Sequence, residues 1–242
     1  MIKLNFLLLF LYFVPNYAMA ASGITDNTIT QINELAPELK IAASLGLLSF
    51  LPIALIATTA FTRIIIVLAM LRHALGLQQS PPNIVLITLA LFLTFFTMSP
   101  VYEKVNEEAL KPYLNQEINY QVAFDRASKP IKAFMLSQTS EDNFQTIIKM
   151  SGANMPNDAD EVSFVQLIPA FLLSELTTAF KIAFVIFLPF LAIDLITAST
   201  LMSLGMIMVP PITVALPLKV MLFVLIDGWG LIAGSLISSF IN

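Results

Sequence analysis

Between residues 41 and 241 the chain is dominated by apolar runs, 41–71, 84–98, 163–195 and 196–241, with few ions among them. A membrane helix needs about 20 apolar residues, and a helix that is apolar all round belongs in lipid or inside a larger helical body. Hydrophobic residues make up 57% of the sequence and charged residues 12%, about half the charge of an ordinary globular chain. The chain therefore reads as all-α and membrane-associated, built of long apolar helical hairpins. Its net charge of -4 comes without any basic block, so nothing points to nucleic acid. Cysteine is absent and His73 is the only histidine. That excludes disulfides, thiolate zinc sites and thiol nucleophiles, and it argues against an imidazole metal centre. No metal or cofactor is expected.

The amino terminus has the layout of a secretory signal peptide: Lys3, an apolar run over residues 4–14, then Pro15 and the small-residue pattern Ala18-Met19-Ala20 before Ala21. Cleavage between Ala20 and Ala21 would leave residues 21–40 as a short exported lead-in. The alternative is an ordinary first membrane helix, although its apolar core is short for one.

Residues 41–101 read as a first hairpin. Its first run is interrupted by Pro52 and Arg63, and GLQQSPP at 76–82 supplies turn chemistry. Its second run is expected to end at Ser99 and Pro100. Residues 102–162 differ in kind, being polar, of mixed charge and punctuated by prolines, and they read as a water-exposed module of short amphipathic helices. The acids Asp158, Asp160 and Glu161 lack the glycine of a calcium loop. Residues 163–242 form the second apolar half. By the positive-inside rule Arg63 and Arg72 set the first turn toward the cytoplasm and the polar module toward the periplasm.

The apolar runs carry ions that are expensive in lipid: Arg63, Glu175, Lys181, Asp194, Lys219 and Asp227. Arg63 reads equally as a helix end at an interface or as a functional charge. If the arms of the second half fold back on each other, Glu175 and Lys219 are the expected buried pair, within one subunit or between two. An ion or proton path is the alternative.

Residues 201–211, LMSLGMIMVPP, form an apolar bend. Gly205 and the prolines Pro210 and Pro211 serve as its hinge, because proline lacks the amide donor and drives its predecessor out of helical space. Irregular apolar backbone at membrane depth persists only where protein buries it or where it lines a cavity. Met206, Ile207 and Met208 are thus either buried packing or the constriction of a channel, a place where methionine's unbranched thioether repacks easily.

Four stretches together resemble one family, the FliP (SctR) proteins of the bacterial type III export apparatus, in its flagellar branch. They are FTRIIIVLAMLRHALGLQQSPPNIVLITLALFLTFFTMSP at 61–100, PAFLLSELTTAFKIAF at 169–184, PFLAIDLITASTLMSLGMIMVPP at 189–211 and IDGWGLIAGSL at 226–236. The resemblance implies a non-enzymatic subunit of the inner-membrane export gate of the flagellar basal body, exposed to the periplasm. It implies five copies assembled with FliR and FliQ, contact with FlhB and FlhA, and unfolded flagellar proteins as cargo. It also implies that Met206, Ile207 and Met208 constrict the channel and that Glu175 and Lys219 pair. Ile207 stands where the family commonly has methionine, and Ala183 where it usually has glycine. The virulence injectisome branch of the same family, and a proton-coupled secondary transporter using Glu175, Lys219 and Asp194 as a relay, are the alternative readings.

Overall fold

A computed structural model describes residues 45, 46, 49, 51–152, 155, 156, 158, 161–206 and 208–241. Ala20, Ala21, Asp160 and Ile207 lie outside the described residues. Among those described the chain is helical and has no strand, in agreement with the all-α expectation. In chain order the elements are α1 (Leu51–Thr58), α2 (Phe61–Ala74), α3 (Asn83–Val105), a π-helical turn (Asn106–Leu110), α4 (Lys111–Leu114), α5 (Tyr120–Gln138), α6 (Glu141–Ser151), α7 (Phe164–Ser203), α8 (Pro211–Leu225) and α9 (Gly228–Ser238). Two helical stretches are long and apolar enough to cross a membrane, Asn83–Leu114 with 32 residues and α7 with 40; the number rises to four if each pair of shorter bent helices counts as one span.

Three expected boundaries fall elsewhere. Pro52 does not mark a break: the described residues before it, 45, 46 and 49, are helical as is α1 after it, and the break comes at Thr59 and Ala60. Pro100 does not end the second apolar run: α3 passes through it to Val105 and continues as the π-helical turn. A proline inside a helix leaves one carbonyl without its amide, a defect that neighbouring helices and local backbone adjustment can absorb in apolar surroundings. The third concerns residues 195 and 196, which lie inside the single helix α7 rather than at an element end.

The threonines of the long helices show how polar groups are accommodated in so apolar a chain. Thr88, Thr94 and Thr97 on α3, and Thr177, Thr197 and Thr200 on α7, each donate a hydroxyl to the carbonyl four residues back, at 2.6–2.9 Å. Each hydroxyl is satisfied within its own helix and needs no water.

The described residues divide into two compact units. One comprises those up to Thr59 together with Pro100–Leu172. Here α5 and α6 are capped by short polar side chains, Asn119 accepting from the Val122 amide at 2.9 Å and Ser140 from the Asn143 amide at 3.4 Å. Glu141 and Asp142 in the first turn of α6 and Lys149 in its last suit the helix dipole, and Gly152 closes it at φ 66°. Met135, Val162, Leu167 and Phe171 form the core, with the Phe134 and Phe171 rings 6.1 Å apart.

The other unit comprises Ala60–Ser99 and the described residues from Leu173 onward. Leu71, Ala74, Leu75, Phe190 and Phe223 form its core. The turn after α2 is a Schellman motif: Gly76, at φ 79°, donates to the His73 carbonyl and Leu77 to that of Arg72. Arg72 holds the next helix entry by donating to the Pro81 carbonyl and the Asn83 side chain. All the candidate functional residues described below belong to this unit.

Candidate functional site

The methionine stretch is a built corner. At the end of α7 the Gly205 amide donates to the Met202 carbonyl and the Met206 amide to that of Leu201, both at 3.0 Å, with Gly205 at φ 74°. This is again a Schellman motif, whose left-handed residue favours glycine. A Cβ on Gly205 would meet nothing within 4 Å, so the requirement there is the backbone angle and not space. Pro210 then adopts an extended conformation at φ -63° and ψ 122°, and Pro211 is the first residue of α8, where a missing amide costs nothing. Thr213 returns its amide and its hydroxyl to the Pro210 carbonyl.

The corner turns its apolar side chains away from its own chain. Leu201 is buried, whereas Met202, Leu204, Met206 and Met208 are exposed, Met208 at 96%. None of the residues from Leu201 to Pro211 is charged. Such a corner offers flexible apolar side chains to whatever faces it.

Two ion pairs hold the helices that carry this corner. Nearer to it, Lys219 of α8 donates to Asp194 of α7 at 2.7 Å and to the Ala74 carbonyl at the end of α2 at 3.2 Å. Lys219 is buried while the Asp194 side chain is 41% exposed. Farther out, Arg63 of α2 makes a two-pronged contact with Glu175 of α7, Nε to Oε2 at 3.0 Å and Nη2 to Oε1 at 2.5 Å. Its Nη1 donates to the Ser239 carbonyl at 2.9 Å and hydroxyl at 3.1 Å, and its guanidinium lies 3.8 Å from the Phe240 ring centre. Arg63 and Glu175 are both buried. Planar, forked and weakly hydrated, a guanidinium suits such a site better than an ammonium.

The expected Glu175–Lys219 pair is therefore replaced, within the chain, by Arg63–Glu175 and Asp194–Lys219. The reason is register. Asp194 precedes Gly205 by 11 residues and Lys219 follows it by 14, so these two meet when the arms fold back. Glu175 precedes Asp194 by 19 residues, about 28 Å along a helix, and is level with the end of the chain's last helix instead. Counting residues outward from the bend would have identified Asp194 as the partner; the contributions of Ser239 and Phe240 carried no such signal. Lys181 and Asp227 are brought to neither pair and both are exposed.

A family model described as FliP family matches residues 44–236, a span that holds the corner and all four members of the two ion pairs. The chain belongs to the FliP family. It is 52% identical over 193 residues to flagellar biosynthetic protein FliP of Pectobacterium carotovorum subsp. carotovorum, covering 80% of this chain and 75% of that one. It is 45% identical over 227 residues to FliP of Caulobacter vibrioides, covering 94% and 85%, and 46% identical over 201 residues to FliP of Bacillus subtilis, covering 83% and 91%. Ser239 and Phe240, the outer partners of Arg63, lie just beyond the part matched by the FliP family model.

Proposed function

We propose that this FliP-family chain is a channel-forming subunit of the flagellar type III export gate, passing unfolded flagellar proteins across the inner membrane. Several copies, five by family resemblance, surround the channel with FliR and FliQ, and FlhB and FlhA of the same apparatus dock on the assembly at the basal body. The energy for export comes from elsewhere, the chain acting as a conduit. Met206, Ile207 and Met208 close the idle channel, and Gly205, Pro210 and Pro211 shape the corner that presents them. The observation carrying this reading is the exposure of Met202, Leu204, Met206 and Met208 on a corner whose supporting helices are fixed by two ion pairs, one buried and one half-exposed. An apolar constriction blocks ions by expelling water from its narrowest point. Methionines part around a chain of changing side chains and close behind it.

Truncating Met206, Ile207 and Met208 together to alanine is expected to raise the resting ion conductance of cells carrying the variant by about tenfold or more, dewetting being lost, while the assembled complex accumulates at wild-type level. Normal assembly with unchanged conductance would show that the corner is packing and not a seal.

A further inference from the structure

Two ions of the apolar runs, Lys181 and Asp227, have no partner among the described residues. Lys181 is exposed on α7 beside the exposed apolar residues Phe180, Phe184 and Val185. Asp227 is exposed at the elbow between α8 and α9, which are bent by 65°, beside Val224, Leu225 and Ile226. An ion set in an apolar surface is costly in lipid and calls for a counter-ion.

The elbow is shaped to present its acid. Asp227 is held in the left-handed region at φ 50° and stands at the N-cap of α9, yet its carboxylate caps no amide there. A carboxylate at that position ordinarily accepts from the second or third amide of the helix, so this one remains available. The Phe223 ring occupies the place where a Cβ on Gly228 would lie, and a Cβ on Gly230 would come within 2.5 Å of the Asp227 carboxylate. Trp229 packs edge-on to Phe223, with ring centres 5.3 Å apart. An exposed, uncapped acid on an otherwise apolar elbow points to a contact made outside the chain.

We propose that Lys181 of one copy pairs with Asp227 of the next, so that the apolar surface around each is covered by a second copy of this chain. The inference rests on the self-association in the reading above and names the contact that orients it. When Lys181 of each copy meets Asp227 of the next in turn, the interface is head-to-tail, the kind that builds rings of more than two members, whereas two copies exchanging both pairs would stop at a dimer. Charge complementarity fixes the register of such an interface by penalising like-charge juxtaposition.

The test uses the full chain with its native partners in a flagellated bacterium. The protein has no cysteine, so K181C and D227C introduce the only thiols. Chains carrying K181C and D227C separately, co-expressed and bridged by a short bismaleimide in membranes, should yield a cross-linked dimer. The double variant K181C/D227C should yield a ladder beyond dimer, and D227C with a cysteine at Glu141 should yield neither. Charge reversals K181D and D227K should each lower recovered complex about tenfold, and K181D/D227K in one chain should restore most of it. Native mass of the wild-type complex is measured alongside. A multi-copy wild-type complex with no ladder and no rescue by the double reversal overturns the pairing and leaves the proposed function standing. A ladder that stops at dimer, or silent single reversals, also overturns it; a wild-type complex with one copy of the chain overturns both.

Discussion

Arg63 ties α2 to α7 and to the residues after α9, because its guanidinium meets a carboxylate, a carbonyl, a hydroxyl and an aromatic face at once. Removing one member of a buried pair leaves the other uncompensated, at a cost of about 3–5 kcal/mol. Glu175→Ala and Arg63→Ala are thus each expected to deplete the protein in membranes. The paired reversal Asp194→Lys with Lys219→Asp should restore much of what either single change loses, whereas Glu175→Lys with Lys219→Glu should not. Steady-state levels and thermal inactivation of the extracted complex measure both, and rescue of the Glu175–Lys219 reversal alone would mean that those two meet between copies. The ions themselves were legible in the sequence as costly charges in apolar runs. Their pairing was not, because it depends on which residues face each other once a 40-residue helix runs unbroken. Tyr120 offers a contrast outside the long helices: its hydroxyl is buried without a hydrogen-bond partner among the described residues, and burial, with a smaller contribution from Tyr113, pushes its pKa up to about 12. A raised phenol favours the folded state below pH 10, and that contribution is lost between pH 10 and about 12 as the unfolded chain ionises first. Tyr120→Phe should remove this alkaline sensitivity and, by deleting an unsatisfied group, leave stability equal or higher by about 1 kcal/mol, as read from melting at pH 8 and pH 11.

At the scale of elements, proline and glycine had very different predictive value. Gly76, Gly205, Pro210 and Pro211 punctuate the chain where composition places them, since a left-handed C-terminal residue and a proline at a helix start are local requirements. Pro52 and Pro100 mislead, because described helical residues lie on both sides of each, apolar packing overriding the lost amide. Gly205→Ala should cost about 1–2 kcal/mol through its backbone angle alone, there being open space for the methyl group. Gly205→Asn should cost less, since asparagine tolerates that region. Thermal stability of the detergent-extracted complex orders the three proteins, and equal melting of Gly205→Ala and wild type would mean that the corner adopts another conformation in the assembly.

At the scale of the whole molecule, the long helices leave their apolar faces largely uncovered by the chain itself. Only 17% of the most apolar stretch of α7 is buried, and 28% of that in Asn83–Leu114. Composition announced this excess of apolar surface, but not which faces the chain would leave open, since that is decided by how the helices pack against each other. The uncovered faces include Phe92 of α3 and Ile196 of α7, each more than half exposed. In water such faces would be a liability; against lipid or neighbouring subunits they are where association is decided. A lysine placed there should leave the internal packing of the chain intact and yet cost about 2.5–3.5 kcal/mol in apolar surroundings. Met150, exposed on the amphipathic helix α6, gives the control: Met150→Lys should stay within about 0.5 kcal/mol of wild type. Native electrophoresis of membrane extracts, with helix content measured by circular dichroism, separates loss of assembly from loss of fold. Phe92→Lys and Ile196→Lys are expected to be helical but depleted from the complex, and Met150→Lys indistinguishable from wild type. Were both lysine variants to assemble as wild type does, their faces would look onto water, and the long helices would owe their apolar character to something other than the membrane or a neighbouring subunit.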